Sequence, residues 1–262
     1  GEHAREFLPV ESFFKLVRDL GTKHKAGDPS VLHILRHTEL LLVGLVNPSG
    51  RRHLEKTRDF CWRGMENGVD VNRNFAWEYG GPGSSASKDS EEYRGTGVFS
   101  EPESVAMRDL ATREKINAFL SMHTGAQYIF VPYGDSVSKR TKRRHPTTRK
   151  QLTLANVMWA ASGGYYTGTG VVYDMNDYTA DGTMADWMAG SLGVPYSLTF
   201  EMFGKPGDLA NCFEQFNPDS PKVSETLSSF HAMYGAAFTH LIQAELGAPP
   251  PPRPPRGPRR GA

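Results

Sequence analysis

The sequence predicts a single α/β domain whose sheet is covered by helices on both faces. Strand-like and helix-like segments alternate over most of the 262 residues, and no internal repeat interrupts them. Several strand candidates are near-continuous apolar runs, the pattern of a strand buried on both sides. The length suffices for one large domain with a sizeable core. Lys plus Arg (30) nearly balance Asp plus Glu (29), so charge points to no nucleic acid or other polyanionic partner. The longest apolar runs, near Leu40 to Val46, are too short to span a bilayer.

Taken in order, Leu8 to Leu20 carries Phe13, Phe14, Leu16, Val17 and Leu20 at helical spacing, with Gly21 as its expected end. After a Gly27-Asp28-Pro29-Ser30 loop, Val31 to His37 reads as a short helix. Glu39 to Val46 reads as a strand buried on both faces and stopped by Asn47-Pro48-Ser49-Gly50. Residues 80–94 are rich in Gly, Ser and charge and read as an exposed loop. A Ser100 cap, Pro102 in the first turn and Glu101 and Glu103 near the positive dipole end open a helix to about Arg113. Ile116 to Met122 then reads as a strand ending at His123, and Gln127 to Tyr133 follows as an aromatic, β-branched stretch.

Ser138 to Lys150 is strongly basic. It is expected to be a solvated loop rather than a docking site for acidic substrates. Beyond it come a helix over Leu152–Ala161, a short strand over Gly170–Tyr173, a short helix over Thr183–Ala189 and a strand over Tyr196–Glu201. Pro221 to Leu246 makes a long last helix. The domain is thus expected over 1–247, and the Pro/Arg/Gly-rich residues 248–262 as a disordered tail that cannot build a core. Two cysteines, Cys61 and Cys212, leave both pairing and redox compartment open.

Chemistry gathers at the start of the chain and at strand ends. In Gly1-Glu2-His3-Ala4-Arg5-Glu6 the histidine and glutamate stand three apart, so one helical turn would place both on one face. An imidazole and a carboxylate are two of the three protein ligands a catalytic zinc takes. Taken alone they read as an ordinary solvated pair. In open α/β sheets, sites lie beyond the carboxyl ends of strands, where His123 and Glu201 fall. A carboxylate ending an apolar strand is costly to bury without a partner or a task. Gly68-Val69-Asp70-Val71-Asn72-Arg73-Asn74-Phe75 crowds amides and acids around an arginine.

At these residues the chain resembles the zinc metallocarboxypeptidases of the carboxypeptidase A and B kind. The resemblance rests on Gly1 to Glu6, Asn47-Pro48-Ser49-Gly50, Trp62-Arg63, Gly68 to Phe75, Ser100-Glu101-Pro102-Glu103, His123 through Pro132-Tyr133-Gly134, Tyr178, Asp186-Trp187 and Thr199-Phe200-Glu201, in family order over residues 1 to about 240. It implies a mixed, mostly parallel twisted sheet with helices on both faces. It further implies one Zn2+ held by His3, Glu6 and His123, with Asp70 orienting His3 from behind. Glu201 matches the general base toward a zinc-bound water, and Arg63 the group that stabilises the oxyanion. Asn72 and Arg73 match the grip on the substrate's terminal carboxylate, Tyr178 the tyrosine that closes over the bound residue, and Arg5 a supporting group.

Ala185 matches the floor of the specificity pocket, where an acid or an arginine would select charged residues. With Tyr173, Ala180, Thr183, Met184, Thr199 and Gly134 around it, the lining predicts preference for apolar C-terminal residues unless Asp181 points inward. The implied partners are peptide or protein C-termini, the implied state a monomer and the implied setting extracellular. Two departures stand out. Gly125 occupies a position where the family commonly places tyrosine, which removes one wall of the upstream subsite. The strands that family domains carry ahead of the first histidine are also absent, which predicts a loosely held first ligand pair. The resemblance leaves room for a peptidase acting on glutamylated tails or cell-wall peptides, and for an inactive peptide-binding relative.

Overall fold

Four strands, β1 (Ala118–His123), β2 (Ala126–Val131), β3 (Gly168–Val171) and β4 (Tyr196–Phe203), form a sheet in the order β1-β4-β2-β3. The computed structural model describes residues 1–205 and 212–247, so the expected tail over 248–262 lies outside the described residues. β1 pairs with β4 and β2 with β3 in parallel, while β2 and β4 run antiparallel, which gives the mixed, mostly parallel sheet expected. In β4 the pleat sends Tyr196, Leu198, Phe200 and Met202 into one core. Ser197, Thr199 and Glu201 alternate to the opposite face.

The first core lies under α1 (Leu8–Lys25), α2 (Pro29–His37), α6 (Thr148–Ala161) and α10 (Ser220–Leu246). It is filled by Leu16, Leu20, Ile34, Leu154, Met158, Phe230 and Met233. The second holds Val71, Phe75, Met107, Met184, Trp187 and Met188, with Phe119 of β1 packed against it. It is built from the segment around a 3-10 turn at Val71–Arg73, from α4 (Pro102–Arg113) and from α8 (Met184–Gly190). Helices therefore cover both faces. The remaining helices are α3 (Pro48–Thr57), α5 (Ser136–Thr141), α7 (Val172–Met175) and α9 (Cys212–Phe216).

The expected strand over 39–46 does not form. Residues 38–46 are in neither helix nor strand, and Leu41, Leu42 and Val43 stand 44%, 41% and 44% exposed. A strand exists only through its ladder partners, and among the described residues this run has none. The next residues, read as a stop signal, instead open α3: Asn47 caps it by accepting from Gly50 N–H at 2.7 Å, and Pro48 occupies its first turn. Ser100 does not cap α4. Its hydroxyl is held between Asn74 and Glu101, while Glu101 occupies the cap position.

α1 runs past Gly21 to Lys25, and Tyr173 belongs to α7 rather than to the strand before it. The basic segment forms α5 and the start of α6. Most of its charges are already matched: Arg143 to Glu78 (2.8 Å) and Asp135, Arg144 and Lys142 to Asp174, and Lys150 to Glu245. Cys61 and Cys212 form a disulfide across 151 positions, with Cα atoms 5.1 Å apart.

Candidate active site

The first six residues fold into a turn closed by Glu6 N–H to the His3 carbonyl (3.3 Å), which puts the two side chains on one side without a helix. The turn is not loose. Ala4 N–H donates to Arg63 O (2.8 Å), the Asn47 amide to Glu2 O (3.0 Å), Arg51 to the carbonyls of Ala4 (2.9 Å) and Glu6 (3.0 Å), and Asn217 to Arg5 O (3.0 Å). Residues 2–6 are all buried, so the expected fraying of this pair is not seen. Four residues from three distant parts of the chain hold its backbone.

His123 ends β1 opposite Glu201 of β4, and in a parallel ladder paired residues face the same way. His3 Nδ1 lies 2.7 Å from Glu6 Oε1, and His123 Nδ1 lies 3.1 Å from Glu6 Oε2 and 3.2 Å from His3 Nδ1. Thr124 N–H also donates to Glu6 Oε2 (3.1 Å). One ligand-type atom from each of His3, Glu6 and His123 lies within 4.8 Å of the others, and all three residues are buried. Behind His3, Asp70 Oδ1 sits 3.3 Å from Nε2, and its other oxygen takes Arg63 through Nε (3.0 Å) and Nη2 (2.9 Å).

Burial favours the neutral forms here, yet the opposed charges win. The imidazoles beside Glu6 hold its carboxyl well below the usual range, and Arg63 and His3 do the same for Asp70. Against burial, Glu2 and Glu6 push His123 up to about 10. Two ring nitrogens and a carboxylate, dry and facing one point, fit a borderline-soft divalent cation such as zinc, which takes three such donors in a catalytic site.

Glu201 stands half-buried beside these groups, and its Oε2 is buried without a hydrogen-bond partner. Burial raises its pKa to about 7, with Glu6 adding to the rise and His123 and Arg63 opposing it. A carboxyl poised near neutrality can both take and return a proton. The structure therefore brings His3, Glu6, His123, Asp70, Arg63 and Glu201 into one place.

Arg73 flanks them. Its Nε donates to Gly83 O (2.9 Å) and Nη1 to Asn72 O (2.9 Å), while Nη2 lies 3.7 Å from Glu92. Asn72 Oδ1 accepts from Met184 N–H (2.9 Å), which fixes the amide against α8. Tyr178 is 60% exposed, yet its phenol feels the charges of Glu201, Arg73 and Arg63. Arg5 forks onto Glu91 with two 2.9 Å bonds and lies over the Phe216 ring, 4.2 Å from its centre. Ala185 is buried, its carbonyl taken by the Ser197 hydroxyl (2.8 Å).

Asp181 spends its carboxylate on Gly83 N–H (2.7 Å) and on Ser136 through N–H (3.1 Å) and hydroxyl (2.8 Å). It is thus a structural tie. At Gly125 (φ +150°) an added Cβ would stand 3.3 Å from Phe216 and 3.5 Å from Glu201 Oε2, so Phe216 takes up the side where sequence comparison leaves a gap. Sequence reasoning missed Phe216, Glu91, Asn217 and the pair Glu2 and Ser121. Only Ser121 carried a usable signal, standing two residues before His123 on a strand and hence on the same face.

A buried His-Glu-His cluster formed by the N-terminal turn and the end of β1, with Glu201 alongside, has the donor set that can hold a divalent cation. The chain belongs to the zinc carboxypeptidase family, whose model matches residues 1–225. It is 29% identical over 231 residues to carboxypeptidase A2 of Mus musculus, covering 77% of this chain and 49% of that one. To carboxypeptidase B2 of Bos taurus it is 31% identical over 217 residues, covering 78% and 50%. The chain thus spans about half the length of these curated relatives. The crystal structure of thrombin activatable fibrinolysis inhibitor superposes with a TM-score of 0.79 at 26% identity, over 93% of this chain and 64% of that one. Carboxypeptidase A from Helicoverpa armigera shares the fold (TM-score 0.72, 20% identity, 94% and 60% covered).

Proposed function

We propose that this domain is a zinc-dependent metallocarboxypeptidase that removes single residues from peptide and protein C-termini, favouring apolar ones. The observation that carries this reading is the convergence of His3, Glu6 and His123 within 4.8 Å, beside the half-buried Glu201, whose Oε2 is buried and unpartnered. Zinc held by these three would polarise the scissile carbonyl and acidify water. Glu201 takes the proton of the attacking water and delivers it to the departing amine nitrogen, a shuttle suited to a carboxyl near pKa 7. Arg63, anchored through Nε and Nη2 to Asp70, offers its remaining edge and full positive charge to the developing oxyanion.

Asn72 and Arg73 take the terminal carboxylate, and that contact restricts cleavage to the last bond. Tyr178, exposed and unburdened by packing, closes over the bound residue, while Arg5 supports the upstream side. Ala185 floors a pocket whose neighbouring acid, Asp181, is consumed by backbone ties, which supports the apolar preference. The Cys61–Cys212 disulfide supports an oxidising, extracellular setting. The missing ionic lining speaks against a glutamate-tail peptidase, and the intact metal triad with Glu201 against an inactive relative.

The test measures zinc content and release from peptides ending in Phe, Leu, Lys and Glu, with and without a chelator. One zinc per chain, chelator-sensitive loss of single residues and fastest cleavage of Phe or Leu are expected. Glu201→Ala is expected to keep zinc and lose at least about a hundredfold in kcat. Fastest release of Lys would overturn the pocket assignment, and an unimpaired Glu201→Ala the assigned base.

A further inference from the structure

The glutamate next to the first histidine has no part in the mechanism above, yet it is buried and aimed at the other histidine. Glu2 Oε1 accepts from the Ser121 hydroxyl and lies 3.4 Å from His123 Nε2, while Ser121 Oγ lies 2.9 Å from the same Nε2. Its second oxygen, Oε2, is buried without a hydrogen-bond partner. Ser121 reaches this spot because it precedes His123 by two on β1, one pleat behind it on the same face.

The directions of these bonds are mutually consistent. In the neutral tautomer of His123 that a metal ligand requires, Nε2–H donates to Ser121 Oγ, whose own proton goes to Glu2, and the lone pair of Nδ1 faces Glu6 and His3. A buried carboxylate is costly unless something repays its desolvation. His3 has the matching arrangement in Asp70 behind its Nε2.

We propose that Glu2, acting through Ser121, is a positioning residue that locks the tautomer and ring orientation of His123 and raises its affinity for a metal ion. Each histidine of the site thereby gains its own carboxylate: Asp70 for His3 and Glu2 for His123. This rests on the metal-binding reading above. Buried negative charge behind an imidazole increases its electron donation to a cation, and loss of such a partner lowers metal affinity by about 10- to 100-fold. Glu2→Gln keeps the size and an acceptor oxygen for Ser121 but removes the charge.

Zinc dissociation constants of the metal-free 262-residue protein, taken by competition with a chromophoric chelator, test the assignment. Glu2→Gln is expected to bind zinc about tenfold or more weakly, and Glu2→Asp to recover part of the loss. Zinc-loaded wild type is expected to show a downfield His123 Nε2 proton in its NMR spectrum, moved upfield in Glu2→Gln. Ser121→Ala, which leaves the charge in place, supplies the same readouts should Glu2→Gln fail to fold, with a several-fold loss expected. A folded Glu2→Gln that binds zinc as tightly as wild type, even with a lowered melting temperature, overturns the assignment and leaves the proposed function standing. Wild type that binds no zinc overturns both.

Discussion

At the scale of single residues, burial sorts the carboxylates of this protein into different tasks. Glu6 and Asp70 sit among imidazoles and guanidinium groups and stay charged, whereas Glu201 has weaker compensation and rises to about 7. Asp186 is the extreme outside the site. Burial drives its pKa up to about 8, with Asp135 and Asp181 adding to the rise, and its main partner is the Gly134 N–H at 2.8 Å. An acid whose folded pKa exceeds the unfolded value of 3.8 binds its proton more tightly when folded, so stability falls as pH rises through the interval from about 4 to about 8. Denaturant unfolding of Asp186→Asn between pH 5 and 8 is expected to lack a slope of up to about 1.4 kcal/mol per pH unit that wild type shows. Equal slopes would refute the raised pKa.

Among the elements, α1 shows how a helix start can be tied to the site. Its cap residue, Phe7, offers no side-chain acceptor, and the first amides are satisfied from 210 positions away: Asn217 Oδ1 accepts from Phe7 N–H (2.9 Å) and Leu8 N–H (3.3 Å). The same side chain donates to Arg5 O inside the ligand-bearing turn. Asn217→Ala would orphan these buried groups, at a cost of about 1–3 kcal/mol. Urea unfolding is expected to show that loss together with weaker zinc binding, since the turn carries two of the three proposed ligands. A loss of stability with unchanged zinc affinity would mean that the cap acts on α1 alone.

For the whole molecule, the Cys61–Cys212 disulfide closes a loop of 151 positions, and Arg5 hydrogen-bonds the Cys61 carbonyl at 2.8 Å. Chain-entropy arguments assign such a crosslink about 5 kcal/mol, taken from the unfolded state. Urea midpoints with and without reductant check this; a reduced protein as stable as the oxidised one would count against it. The crosslink joins the stretch before Arg63 to α9, and therefore binds the Arg63 side of the site to the segment that carries Phe216.

The sequence by itself determined the alternation of elements and the places of β1, β4 and α10, because periodicity is a local property, and its family resemblance pointed to His3, Glu6, His123 and Glu201 as one set. It misjudged residues 39–46, where an apolar run reads as a strand although no ladder partner meets it among the described residues. It also misjudged Ser100, whose hydroxyl a distant Asn74 claims. Only the tertiary structure decided that the ligand turn is clamped by Asn47, Arg51, Arg63 and Asn217. It alone decided that Asp181 is a tie rather than a pocket acid, that the cysteines pair, and that Glu2 stands behind His123. Each of these is a contact between residues tens to hundreds of positions apart, and hydrogen-bond direction and desolvation depend on neighbours in space that no local pattern names.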